Sequence, residues 1–216
     1  MATIECVERR TDAEHSDRGA ALMAVLLLTV LLSALGTAVA LMADVETTIA
    51  ANHRDSIVVA QAAEGAGAFA IQELVLLDDL TLVLAGRVAS RLTGPFQLPP
   101  VVGAMPLDVP VMTTALQEDT YGGDPFGANT PRWRLFGHGV PGVDLPFGGL
   151  SEQVFVLTWV SDDVAETDGD PLADNNGVVV IRARAIGLRR SQSDIQAVVA
   201  RVAPGVIRLV SWRVIR

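Results

Sequence analysis

Residues 20–43 read AALMAVLLLTVLLSALGTAVALMA, twenty-four positions without one charged side chain. At about 1.5 Å of rise per residue, a helix of that length crosses the roughly 30 Å hydrocarbon core of a bilayer. A core helix of a water-soluble domain rarely lacks a polar face over such a length. This stretch has none, so it reads as a membrane segment. A secretory signal sequence has an apolar core of only about 7–15 residues and ends at a small-residue cleavage site; here the run is longer and passes into a polar helical pattern. Arg9, Arg10 and Arg18 precede it and only Arg54 follows closely. The positive-inside rule therefore puts the N-terminus in the cytoplasm and the C-terminal body outside, since the acids Glu5, Glu8, Asp12, Glu14 and Asp17 weigh little in that rule.

The run also explains the composition. The 216 residues are 50% hydrophobic and 19% charged, with a mean hydropathy of +0.39, so the apolar excess has to be concentrated in one place. With 16 basic residues, all arginine, against 25 acids, the net charge is −9. That balance excludes a polycationic nucleic-acid binder, and no nucleic-acid partner is expected.

Immediately before the run stands Asp17-Arg18-Gly19-Ala20, a charged leader that ends in glycine and switches abruptly to apolar sequence. After it, residues 51–64 read ANHRDSIVVAQAAE, a polar motif carried by Ala51, Asn52, Arg54, Asp55, Ala60, Gln61, Ala62, Ala63 and Glu64. Leader, apolar helix and motif together resemble the N-terminus of type IV pilins, and most closely the PilX-like minor pilins. The resemblance implies cleavage between Gly19 and Ala20 by the membrane-bound prepilin peptidase, methylation of the new N-terminus, and other pilins and the inner membrane as partners. Glycine suits such a cut because it extends without a side chain to clash. The only cysteine, Cys6, would leave with the leader, so no disulfide can staple the exported part. Losing three arginines and five acids with it takes the net charge from −9 to −7.

One position departs from the major-pilin pattern. There the fifth residue after the cut is normally glutamate, thought to offset the α-amino charge of a neighbouring subunit, whereas here it is Ala24. An unpaired buried ammonium is costly, so the departure implies a subunit that caps or initiates a filament. A minor pseudopilin of type II secretion is the alternative within this class. Outside it stands a single-pass anchored binding domain with Gly19 uncut.

The expected fold is α+β and pilin-like: a long N-terminal helix, half in the membrane and half exported, packed on a C-terminal antiparallel sheet. The organisation reads as leader 1–19, membrane or filament-core helix 20–43, exported helical region 44–93, Pro/Gly-rich variable region 94–150 and β region 151–216. In the exported helix, Val45, Ile49, Ile57, Ala60, Ala63 and Phe69 form the apolar stripe for the sheet, and Gly65 and Gly67 suggest a bend. Asp78-Asp79 offers a cap to a second helix over 80–92, stopped by Gly94-Pro95. Recurrent Pro and Gly between 94 and 150, including Pro99-Pro100, Pro106, Pro110, Pro141-Gly142 and Gly148-Gly149, predict loops with short strands, the best at 132–136. Strands are predicted at 154–161, 178–186, 195–202 and 206–215, the last two joined by an Ala203-Pro204-Gly205 turn and therefore antiparallel.

Chemistry is sparse. Between the first two of those strands lies a loop with six acids, in which Asp162, Asp163, Asp168, Asp170, Asp174 and Asn176 are candidate oxygen ligands for Ca²⁺, although the spacing fits no EF-hand. Besides that cation no cofactor is expected. His15 lies in the leader, His53 on the helix beyond the membrane and His138 in a Gly-rich stretch read as a solvated loop. No HExxH, G-x-S-x-G or phosphate-binding glycine motif is present, so the chain is not expected to be an enzyme. Arg182, Arg184, Arg189 and Arg190 read as an exposed basic cluster suited to another subunit's acids.

Overall fold

A computed structural model describes residues 3–92, 101–102, 105–122, 126–140, 154–187 and 191–215. Gly94-Pro95, Pro99-Pro100, the Pro/Gly-rich residues 141–150, Arg189 and Arg190 lie outside the described residues. The chain divides into two compact units, Met1–Asn52 and His53–Arg216.

Helix α1 (Thr3–Val75) runs unbroken through the charged leader, the apolar segment and the polar motif. In the first unit every residue from Gly19 to Ala50 is exposed, including Leu22, Leu27, Leu31, Leu35 and Leu41 at 55–71%. Among the residues described there, hydroxyls make local bonds only. Thr29 Oγ1 donates to the Leu26 carbonyl at 2.9 Å, Ser33 Oγ to Thr29 at 2.8 Å and Thr37 Oγ1 to Ser33 at 2.9 Å. The apolar segment therefore satisfies its polar groups on its own backbone, as a helix in hydrocarbon must.

The second unit is built on a five-stranded antiparallel meander in the order β3 (Arg134–Gly139), β4 (Phe155–Asp162), β5 (Val178–Ile186), β6 (Gln192–Ala203) and β7 (Val206–Ile215). Dense Val and Ile favour these extended segments. The β5 and β7 bounds are those expected from the sequence, and the β6–β7 turn closes on Pro204-Gly205, with Gly205 at φ +71°. Alternation gives the sheet two apolar faces. On one, Val156, Val160, Ile181, Ala183, Ala185, Ile195, Ala197 and Val199 pack against α1 and the short α2 (Thr81–Leu84). On the other, Phe155, Leu157, Trp159 and Val180 pack against α3 (Val109–Tyr121) and the residues around the minimal hairpin of β1 (Val101–Val102) and β2 (Met105–Pro106).

Several sequence expectations need correction. The packing stripe of α1 is Val59, Ala62, Ala63, Ala66, Ala70 and Leu74, all at most 1% exposed, whereas Val45, Ile49 and Ile57 are 43–62% exposed and Ala60 is half-buried. Small residues occupy the stripe because helix and sheet approach closely. A Cβ on Gly67 would lie 2.4 Å from Ile195 Cδ1, so this glycine serves packing, and the helix passes through both glycines without interruption.

The second helix is four residues long rather than thirteen. Asp79 Oδ1 accepts from the Thr81 amide at 2.9 Å, but Gly86 at φ +70° ends the helix, with the Arg87 and Val88 amides donating to the Leu82 carbonyl. The following residues run instead along the outer edge of β3: the Ser90 amide donates to Phe136 O at 2.8 Å and the His138 amide to Leu92 O at 2.7 Å. Glu73 of α1 fixes this segment, accepting from the Ser90 hydroxyl and from Arg91 N at 2.8 Å.

Within the stretch read as loops lies α3. Asp108 caps it, accepting from Val111 N at 3.0 Å, and Pro110 sits in its first turn. A proline there has no helical hydrogen bond to forfeit. It marks the start of a helix rather than forbidding one.

Candidate functional site

Two places carry the expected functional residues. The first is the junction on α1. Gly19 and Ala20 are exposed, a Cβ added at Gly19 would meet nothing within 4 Å, and Ala24 stands one turn further on, also exposed. The 57-residue stretch Gly19–Val75 contains an 18-residue window of mean hydropathy 2.4, none of it buried, and is a candidate membrane span.

The second is the loop joining β4 to β5, residues 163–177. Asp162, the last residue of β4, is fully buried; Glu166 is 6% exposed and Asp174 half-buried. One carboxylate oxygen from each lies within 4.8 Å of the other two. The Asp163 amide donates to Asp162 Oδ1 at 2.9 Å, and Asn129 donates its amide to Asp162 Oδ2. Glu166 Oε1 accepts from Asn175 N at 2.7 Å, the Glu166 carboxylate also shares a hydrogen bond with the Asp162 carboxyl, and Asn129 Oδ1 is buried without a partner. Asp174 Oδ1 accepts from Gly177 N at 2.8 Å.

Burial first, and then the neighbouring Glu166, push the Asp162 carboxyl up to about 8 against the opposing hydrogen bonds from Asp163 and Asn129. Asp174 is raised too, by burial foremost and by Glu166, against the hydrogen bond from Gly177. Three carboxyl groups are thus held closer together than their charges favour.

The structure brings together two of the six residues picked from the sequence, Asp162 and Asp174, and adds Glu166. The other four close turns. Asp163 accepts from Ala165 N at 3.0 Å and from Asn176 Nδ2 at 2.7 Å. Asp168 accepts from Asp170 N at 2.9 Å and Asp170 from Leu172 N at 3.0 Å, while Asn176 Oδ1 accepts from Val178 N at 2.7 Å. These are the local bonds that Asp and Asn make in turns. Glu166 is buried while Asp168 and Asp170 are exposed, and Asn129 comes from 33 residues before Asp162. Spacing along the loop carries no signal for either.

Of the basic cluster, the two described arginines are not exposed. Arg182 is 4% exposed and Arg184 half-buried. Both project on the α3 face of β5, opposite Gln196 and Asp194 of β6 in the register. Arg182 Nη2 and Arg184 Nη2 bond Asp194 Oδ2 at 2.9 and 2.6 Å, and Arg182 Nη1 bonds Gln196 Oε1 at 3.2 Å. Arg184 also lies over the Trp159 ring at 5.8 Å. Burial raises the Asp194 carboxyl, but hydrogen bonds and charge from Arg184 and Arg182 outweigh it and hold Asp194 below the usual carboxylate range. His138, expected in a solvated loop, is a buried residue of β3 whose ring lies 6.2 Å from that of Phe155.

Against known families, residues 18–66 match the family model described as PilX N-terminal. The match begins at Arg18, takes in the Gly19-Ala20 junction and the whole apolar run, and ends just past Glu64. No curated protein and no solved structure matches the chain.

Proposed function

We propose that the chain is a minor pilin of the PilX type, made as a precursor and taking part in type IV pilus assembly. The observation that carries this reading is the match over 18–66 on a helix whose apolar side chains are exposed around its circumference. Such a helix needs a nonpolar surrounding, and a bilayer and a bundle of similar helices both supply one. Prepilin peptidase cuts between Gly19 and Ala20, the segment 20–43 holds the subunit in the inner membrane with the C-terminal unit exported, and assembly moves the segment from lipid into the filament core. The role is structural, exercised through helix packing with other pilins. Ala24 cannot offer a neighbour the acid that pairs with an α-amino group, which supports a place at the tip, where the filament is initiated or capped.

Mass spectrometry of the N-terminus of protein purified from its own cells tests the reading. The expected product begins at N-methylated Ala20, and in a strain lacking the prepilin peptidase the chain retains its leader. A mature chain with residues 1–19 still attached in peptidase-positive cells overturns it. Regular immunogold labelling along whole pili, instead of at their ends, would contradict the tip assignment alone.

A further inference from the structure

We propose that Asp162, Glu166 and Asp174 form a calcium site at the base of the β4–β5 loop, a reading independent of the filament role.

Geometry comes first. Ca²⁺ binds oxygen at about 2.3–2.6 Å, so two of its ligands stand at most about 5 Å apart. The three carboxylate oxygens meet this condition pairwise, all within 4.8 Å of one another. The second observation is the buried, unpartnered Oδ1 of Asn129, on a residue 1% exposed that lies against Asp162. A buried oxygen without a donor is costly in a folded protein, and a cation here gives it a partner and offsets the repulsion among the three carboxyl groups.

Donor chemistry selects the ion. Every group on offer is a hard oxygen, which disfavours the thiolate- and imidazole-seeking metals, and the irregular arrangement suits calcium's flexible coordination better than the strict octahedron of magnesium. Asn129, 1% exposed and held against Asp162 through its amide nitrogen, has an unpartnered Oδ1. Turning its terminal amide over exchanges nitrogen for oxygen beside Asp162 and adds a neutral ligand.

The ligands come from separate places: the end of β4, the rising limb of the loop and its returning limb. Between them stand the turns closed by Asp168 and Asp170, and the Asp174 amide is itself tied to Thr81 Oγ1 of α2 at 3.1 Å. Binding at this point fastens both limbs of the loop to the end of the sheet.

Equilibrium dialysis of the full-length chain in detergent against ⁴⁵Ca²⁺, after chelator stripping, tests the site. The expected result is one ion per chain with a Kd of about 10⁻⁴–10⁻³ M, the range of extracellular modules. Both Glu166→Gln and Asp174→Asn should weaken binding at least about tenfold, and a double Asp168→Asn/Asp170→Asn variant should leave it unchanged, because those acids serve turns. Asp174→Asn, at a half-exposed position, keeps the test valid if Glu166→Gln fails to fold. Absence of saturable binding up to about 10 mM Ca²⁺, ten times the weak end of that range, overturns the proposal. So does binding lost in the Asp168/Asp170 variant but kept in the cluster variants, which would place the ion in the exposed turns.

Discussion

Asp194 sits between two guanidinium groups, and its substitution separates a paired buried charge from an unpaired one. Replacing it with alanine leaves Arg182, 4% exposed, without its anion, and removing one member of a buried ion pair costs about 3–5 kcal/mol. Urea unfolding at pH 7 should show a loss of that size. The pH dependence follows from the depressed carboxyl of Asp194: the stability it contributes is complete above its unfolded value of about 3.9 and disappears as pH falls through the lower folded value. Wild type and Asp194→Ala should therefore begin to approach each other in stability as pH falls below about 4, and meet only below the lower folded value. Gly137 makes a second residue-scale case. It lies where the β3–β4 register slips, and a Cβ there would fall 2.7 Å from Ser90 Cβ and 3.0 Å from Thr158 Oγ1. Gly137→Ala should lower stability by about 1–3 kcal/mol, as overpacking does, again measured by urea unfolding.

Among the elements, α3 decides how the opposite sheet face is used, and its cap is open to direct test. Asp108→Ala removes the acceptor for Val111 N and should cost about 1 kcal/mol, seen in hydrogen exchange as faster opening of 109–113 with little change in β5. The same helix explains much of what the sequence left unread. β5 and β7 were legible because their β-branched runs are local signals, and so was the alternation of Arg182 and Arg184 with Ile181, Ala183 and Ala185. That the arginine side of this alternation is covered depends on α3, and α3 was hidden by Pro106 and Pro110, which read as breakers. The stripe on α1 was placed only in part: Ala63 and Phe69 do pack on the core, but Val45, Ile49 and Ile57 were favoured for their size, while the sheet selects Ala62, Ala66 and Gly67 for close approach. In the acidic loop, the abundance of acids was legible, but which of them turn inward depends on the Asx turns at Asp168 and Asp170. A linear spacing rule cannot express that.

For the molecule as a whole, the core clusters draw, among the described residues, only on those from Val58 onward. A chain starting at His53 should keep its thermal midpoint within a few degrees of the full-length protein in detergent, because no described residue of the removed unit belongs to those clusters. Differential scanning fluorimetry of the two forms makes the comparison. A large fall would mean that residues before His53 support the sheet. The self-bonded hydroxyls of Thr29, Ser33 and Thr37 bear on the other unit. With no polar group asking for an outside partner, the anchor gains little hydrophobic free energy by leaving one nonpolar medium for another. It is a reversible part, as much at home on the way in as on the way out. In the proposed pilin role, the direction of traffic between membrane and filament would then be set by work done on the subunit, and the same helix could be returned to the bilayer intact and used again.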